Sequence, residues 1–214
     1  MKRTVTLLLS VLMIAFCLCS CGKTETQPTS GSGKTDAPDT VQSEKAEGIG
    51  THHVEIVVKD YGTIKLELDG NTAPITVQNF LDLADSGFYD GLTFHRIKAG
   101  FMMQGGSTDG LGYEGSDKKI KGEFAANGVK NNISHVAGVI SMGRTNMDYN
   151  SASSQFFICH VDSTSLDGQY AAFGHVTEGM DIVDKICTDA KPVDNNGTIP
   201  ADEQPVMEKV TVID

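Results

Sequence analysis

The chain has 214 residues, 39% hydrophobic and 21% charged, a balance that allows one domain with a sizeable core plus appendages. Its formal net charge of −11, with no offsetting basic run, excludes a nucleic-acid partner, because neutralising phosphates takes lysine and arginine in excess. Such acidity suits an exported domain that must stay soluble.

The first twenty residues, "MKRTVTLLLSVLMIAFCLCS", begin with Lys2 and Arg3 and continue as an apolar run from Val5 to Leu18. That run falls short of the ~20 apolar residues that cross a bilayer, so residues 1–20 read as a signal peptide. Its end, "LCSCG" from Leu18 to Gly22, resembles the lipobox of bacterial lipoproteins. The resemblance implies cleavage before Cys21 and acylation of the Cys21 thiol. Two or more acyl chains would anchor the protein outside the cytoplasm on the bacterial cell membrane. Cleavage leaves 15 basic residues against 28 acidic ones, a net charge of −13, and only Cys159 and Cys187 in the folded part. Two cysteines make no disulfide scaffold, and their pairing stays open.

Residues 21–50 are rich in Thr, Ser, Gly, Pro and charge and carry no aromatic side chain, which predicts a flexible tether. The pattern changes near His53, and a folded domain is expected over 51–214. "VEIVVKDYGTIKLELDG" predicts two strands, Val54 to Val58 and Thr63 to Leu68, around a turn at Asp60-Tyr61-Gly62. "TAPITVQNFLDLADSG" predicts a helix with Thr72 as N-cap and Pro74 in the first turn. Its inward stripe is Val77, Phe80, Leu81 and Ala84, and Gly87 ends it. A second helix is expected from Glu178 to about Ile186. The remainder reads as short strands, including "VAGVISM", "SQFFICHV", "AAFGHV" and "VMEKVTVID". Many strands and two helices predict a mainly β fold, a closed antiparallel barrel whose ends the helices cover.

Familiar catalytic signatures are missing. None of the six histidines belongs to an HExxH pair or has a Cys-x-x-Cys companion, so no metal is expected. "GGSTDGLG", Gly105 to Gly112, lacks the following Lys-Ser/Thr of a phosphate loop and reads as a mobile loop, its two glycines turning the chain. No Gly-x-Ser-x-Gly elbow is present. What stands out is "FHRIKAGFMMQGG", with "SQFFICHV" and "LDGQYAAFGHV" downstream. Together they supply Arg96, Phe101, Met102, Gln104, Gln155, Phe157, Leu166 and Tyr170. With Arg96 on the outer face of a strand, Phe94 or Ile97 is left to serve the core.

These stretches, with "GVISMGR" and the longer "LDGQYAAFGHVTEGMDIVD", resemble the cyclophilin family of peptidyl-prolyl cis-trans isomerases in order and spacing. The resemblance covers about residues 52–214 and, through "IKGEF", "NNISHVAGVISM" and "NSASSQFF", looks most like the bacterial branch. It implies an eight-stranded antiparallel β-barrel capped by two helices, no cofactor, and proline-containing polypeptides as substrates. It also implies Arg96 as the catalytic arginine and Phe101, Met102, Phe157 and Leu166 as the proline pocket. Gln104 and Gln155 are then polar neighbours and His95 lines the same groove. Gly143 and Arg144 sit where the family's backbone pairs with the substrate, and Tyr170 stands in place of a common histidine, still able to cover the proline.

Such chemistry needs no nucleophile. Amide rotation faces a barrier of ~18–20 kcal/mol, and Xaa-Pro isomers interconvert over tens to hundreds of seconds unaided. A guanidinium that donates to the prolyl nitrogen as it regains its lone pair would favour the twisted amide over the planar one. Departures from the family pattern are Ser165 for a tryptophan, from which weak cyclosporin binding is expected, Ala99 for a proline, Gly143 for an alanine, and a slightly longer loop from Thr145 to Ala152. The competing reading is a proline-groove binding module or holdase without turnover. A monomer is expected.

Overall fold

The computed structural model describes residues 47–214. The signal segment, Cys21 and the tether up to residue 46 lie outside them. Eight strands form one antiparallel sheet: β1 (Thr51–Val58), β2 (Gly62–Asp69), β3 (Thr93–Lys98), β4 (Met102–Ser107), β5 (Val139–Met142), β6 (Phe156–Cys159), β7 (Ala172–Glu178) and β8 (Met207–Val212). Their spatial order is β3-β4-β6-β5-β7-β2-β1-β8. The sheet curls until its two ends meet, but no ladder closes it. The seam is one bridge, Thr93 to Val206, flanked by backbone bonds from Phe94 N to Pro205 O (3.0 Å) and Met207 N to Leu92 O (2.8 Å). The fold is therefore a curled eight-stranded sheet with a stitched seam rather than a continuously hydrogen-bonded barrel.

Period-two alternation decides what each strand does. On β6, Phe156 and Ile158 enter the main core, while Phe157 and Cys159 face the other way with Met102 of β4. On β4, Met103 goes inward. That smaller outer cluster, with Phe101, Leu166 and Tyr170 packed on it, lies on the outer face of the curled sheet.

Helices α1 (Pro74–Asp85) and α2 (Met180–Asp189) add Val77, Phe80, Val183 and Ile186 to the main core. The expected N-cap is corrected by the structure. Ala73 occupies the cap position without a side-chain bond, and the Thr72 hydroxyl instead donates to Asp69 (2.6 Å). The first-turn amides are satisfied from a distance. Ile75 N donates to Glu123 Oε1 (3.1 Å), and Thr76 N (2.8 Å) and Oγ1 (2.7 Å) donate to Oε2. Helix α2 starts two residues later than expected, because Glu178 still pairs with Lys65 in the β7 ladder. Gly179 then turns the chain at φ 95°, where a Cβ would lie 2.8 Å from Thr63 O.

Gly105 and Gly106 do not turn the chain; both lie inside β4. A Cβ on Gly105 would sit 2.9 Å from the Phe94 ring, and one on Gly106 would sit 2.5 Å from Ser154 O. Gly106, at φ 81°, is the extra residue where the β3–β4 register slips between Thr93 and Phe94. Nor is the loop that follows loosely held. Asp109 Oδ1 accepts from the Ser107 hydroxyl, from Leu111 N (2.9 Å) and from Gly112 N (3.0 Å). Cys159 and Cys187 are both free thiols and both buried.

Candidate active site

A second register slip positions the arginine. Phe94 pairs with Gly105 and Arg96 pairs with Gln104, which leaves His95 as an unpaired extra residue on β3. The bulge changes the parity of the strand. Phe94 and Ile97 both point into the core, and Arg96 between them points out. Across from β3, the segment after Asp194 covers its free side, with Ile97 N bonded to Gly197 O (2.8 Å) and Ile199 N to His95 O (3.0 Å).

Arg96 is held from three sides. Its Nε donates to Asn196 O (2.8 Å) and its Nη1 to Gln104 Oε1 (3.1 Å), with Met102 Sδ 3.9 Å away and the Phe101 ring centroid 6.0 Å from Cζ. Gln104 Nε2 then donates to Gln155 Oε1 (3.0 Å), and Gln155 Nε2 donates to the carbonyls of Gly112 (3.1 Å) and Glu114 (3.0 Å). Each amide accepts at oxygen and donates at nitrogen, so a guanidinium at one end fixes the direction of the whole relay. Partial burial draws the guanidinium below its usual range, opposed by Tyr170 and Asp194, and an arginine stays charged throughout.

The cavity beside Arg96 measures about 390 Å³. Phe101, Phe157, Leu166 and Tyr170 supply its apolar walls, and Gln104, Gly143, Arg144, Asn146 and Asn196 complete it. None of these side chains is a serine, a cysteine, a carboxylate or a histidine. Met102, 1% exposed, forms the layer beneath with Phe157. Gln155 faces a neighbouring hollow of about 250 Å³ and reaches the cavity only through Gln104. The structure thus gathers Arg96, Phe101, Gln104, Gly143, Arg144, Phe157, Leu166 and Tyr170 around one space.

His95 does not face that space. It is the bulge residue, 4% exposed and covered by Gly112, whose Cβ would lie 2.8 Å from Nε2. Burial pushes its pKa down to about 4, with Asp109 opposing and Arg96 assisting, so it is neutral at pH 7. Its Nδ1 has no hydrogen-bond partner among the described residues.

Sequence reasoning passed over the support beneath the pocket. The buried His135 ring lies parallel to Phe157, 6.0 Å between centroids and 16° between planes. Its Nδ1 donates to Asp167 Oδ1 (2.9 Å), and its Nε2 accepts from the Ser141 hydroxyl (3.0 Å). Asp167 directly follows Leu166, so one imidazole ties a pocket wall to the pocket floor. The Asp167 carboxyl lies below its usual range. Burial works against this, but bonds from His135 N, the Ser134 hydroxyl and the His135 ring outweigh it. This Ser-His-Asp chain is sealed from solvent at Ser141 and His135, so it supports the site rather than attacking anything. Asn196 was also missed; only the Asx-turn composition of "DNNGT" hinted at its fixed loop, in which Asp194 accepts from the amides of Asn196, Gly197 and Thr198. Among the described residues no group of three or more His, Cys, Asp or Glu side chains is placed to hold a metal.

Comparison with known proteins gives a consistent result. Residues 53–213 match the family described as cyclophilin type peptidyl-prolyl cis-trans isomerase/CLD. A peptidyl-prolyl cis-trans isomerase of Helicobacter pylori is 46% identical over 127 residues, 58% of this chain and 74% of its own length. Peptidyl-prolyl cis-trans isomerase B of Bacillus subtilis is 42% identical over 125 residues, 58% of this chain and 83% of its own. A Cryptosporidium parvum cyclophilin, crystallised in the presence of the dipeptide Ala-Pro, superposes with a TM-score of 0.67 at 25% identity, covering 76% of this chain and 99% of that one. A match of that extent, over a sheet of the same kind, means that the chain belongs to the cyclophilin-type peptidyl-prolyl cis-trans isomerases.

Proposed function

We propose that the cavity beside Arg96 is where isomerisation occurs, and that it works electrostatically on exported chains from a membrane tether. The observation that carries the mechanism is a fixed guanidinium at the edge of a cavity with apolar and aromatic walls whose lining holds no serine, cysteine, carboxylate or histidine. The proline ring fits among Phe101, Phe157, Leu166 and Tyr170, above Met102. As the preceding carbonyl turns, the prolyl nitrogen becomes pyramidal and gains a lone pair, to which Arg96 donates. That bond has no counterpart in the planar ground state, so it lowers the barrier rather than deepening the bound state. Because Asn196 and Gln104 already hold the guanidinium, little reorganisation accompanies the rotation. A differential stabilisation of ~7 kcal/mol corresponds to about five decades in rate.

The sequence outside the described residues supports the tether. The apolar leader, the lipobox ending at Cys21 and the polar stretch after it support a domain held on the outer face of the cell membrane. Chains emerging there fold with slow Xaa-Pro steps, which gives the enzyme its work.

Two measurements test this reading. In a proline-isomerisation assay, Arg96→Ala is expected to lower kcat/KM by about 10²-fold or more, the range for removing one preorganised donor. Equal rates for wild type and variant would refute the mechanism, and peptide binding without turnover would favour the holdase reading. For the anchor, wild type is expected in the membrane fraction and Cys21→Ser in the soluble one; identical partitioning would refute lipidation.

A further inference from the structure

Arg144 is the second cation of the groove, and its setting is unusual for a surface arginine. Its Cζ lies 4.6 Å from the centroid of Tyr170, 4.9 Å from Tyr149 and 5.2 Å from Phe124. Nε donates to Gln169 O (3.0 Å) and Nη1 to Thr145 O (2.9 Å). Three rings and two carbonyls therefore fix the charge in place, as cation–π geometry favours. Those bonds use two of the five guanidinium N–H groups, and among the described residues no other acceptor takes the rest.

Its position matters as much as its anchoring. Gln104, Gly143 and Arg144 border both the proline cavity and the neighbouring hollow, which Gly112 to Ser116 and Lys119 line on one side and Thr145, Ser151 and Ser153 on the other. Any chain that seats a proline in the first space and continues into the second passes Arg144. The charge balance along that path is positive. The proline cavity has two arginines and no acid in its lining, and the neighbouring hollow adds Lys119 and a single acid, Glu114. This occurs on a chain whose net charge is −11. A leucine or methionine would pack the three rings, but only the guanidinium also bonds Gln169 O and Thr145 O and keeps donors free beside the groove.

We infer that Arg144 is a specificity determinant that favours substrates with an aspartate or glutamate close to the isomerised proline. The inference rests on the reading of the cavity as the isomerisation site. A carboxylate can take two of the remaining guanidinium N–H groups at once, and a fixed donor loses little freedom in pairing. Discrimination is expected chiefly in KM, because the contact exists in both the planar and the twisted amide.

The test uses the full chain in detergent micelles and matched Xaa-Pro peptides. Glu, Gln or Lys is placed in turn at the two positions before the proline and the two after it, and exchange is followed by NMR. Wild type is expected to prefer Glu over Gln by about 3–10-fold in kcat/KM at one position at least, with Lys poorest and the preference shrinking as salt rises. In Arg144→Gln the Glu/Gln ratio falls to about one, and Arg144→Lys keeps part of it. Because the ratio is taken within each enzyme, any shift of Tyr170 that alters the rate for all peptides cancels. No charge preference in wild type at any position, or an unchanged ratio in Arg144→Gln, overturns the inference. Failure of wild type to turn over any peptide would instead overturn the isomerisation-site reading. Should Arg144→Gln not fold, the Arg144→Lys ratio and the salt dependence decide the matter.

Discussion

His95 and Arg96 are adjacent in the chain and opposite in environment, and the bulge between them is the reason. Arg96 was legible in the sequence because an arginine amid apolar residues needs an outward face. His95, expected to line the groove, was not, because a register slip leaves no mark in composition. Its burial has a consequence for acid stability. An unfolded histidine titrates near 6.5, but His95 in the fold titrates at about 4, so between those values the unfolded chain binds more protons. Stability from this residue is therefore full above pH 6.5, declines as pH falls, and levels off below pH 4, a loss of about 3 kcal/mol. His135, also lowered by burial, acts in the same direction. The carboxyls held below 3.8, at Asp90, Asp109, Asp167, Asp194 and Asp214, act only at still lower pH. Thermal melts of wild type and His95→Gln from pH 7 to 4 should show a shallower decline in the variant; parallel curves would refute the assignment.

At the scale of elements, periodicity located β1, β2 and both helices, because alternation and the 3.6-residue stripe are local properties, whereas β4, whose end read as a loop, escaped it. Caps and close approaches are not local. Thr72 carried the local signal of an N-cap, yet the first turn of α1 is held by Glu123, separated by 47 residues from Thr76. Glu123→Leu strands the amides of Ile75 and Thr76 and the Thr76 hydroxyl, and should cost about 2–4 kcal/mol in denaturant unfolding. Glu123→Gln, which keeps an acceptor, should cost less. If both variants match wild type, α1 does not depend on this carboxylate. Gly106→Ala is the corresponding test for β4. A methyl group 2.5 Å from Ser154 O, at positive φ, should lower stability by at least about 2 kcal/mol and disturb the neighbouring Gln155. The expectation that this glycine marks a turn came from composition, which does not separate a turn from a bulge within a strand.

For the molecule as a whole, the sheet divides its side chains between a core that holds the fold and an outer face that holds the site. The two thiols lie on opposite sides of that division, Cys187 in the core and Cys159 in the outer cluster beside Met102 and Phe157, and both are buried. Burial, assisted by Asp167 and Asp162 at Cys159 and by Asp184 at Cys187, pushes each pKa up to about 12. Neither should react with a thiol reagent until the protein unfolds, and both should then react; rapid labelling in the native state would contradict this placement. The sequence left their pairing open because separation along a chain says nothing about separation in a curled sheet. The covered margin of β3 has a different kind of consequence. The strip from Gly197 to Ile199 that bonds to β3, next to the Asn196 carbonyl that orients Arg96, also occupies the backbone groups a foreign strand would seek. Proline-containing peptides bring such unpaired backbone with them, and an open margin would let them zip onto the enzyme and stay. At β3, therefore, the backbone of a substrate finds no free margin to extend.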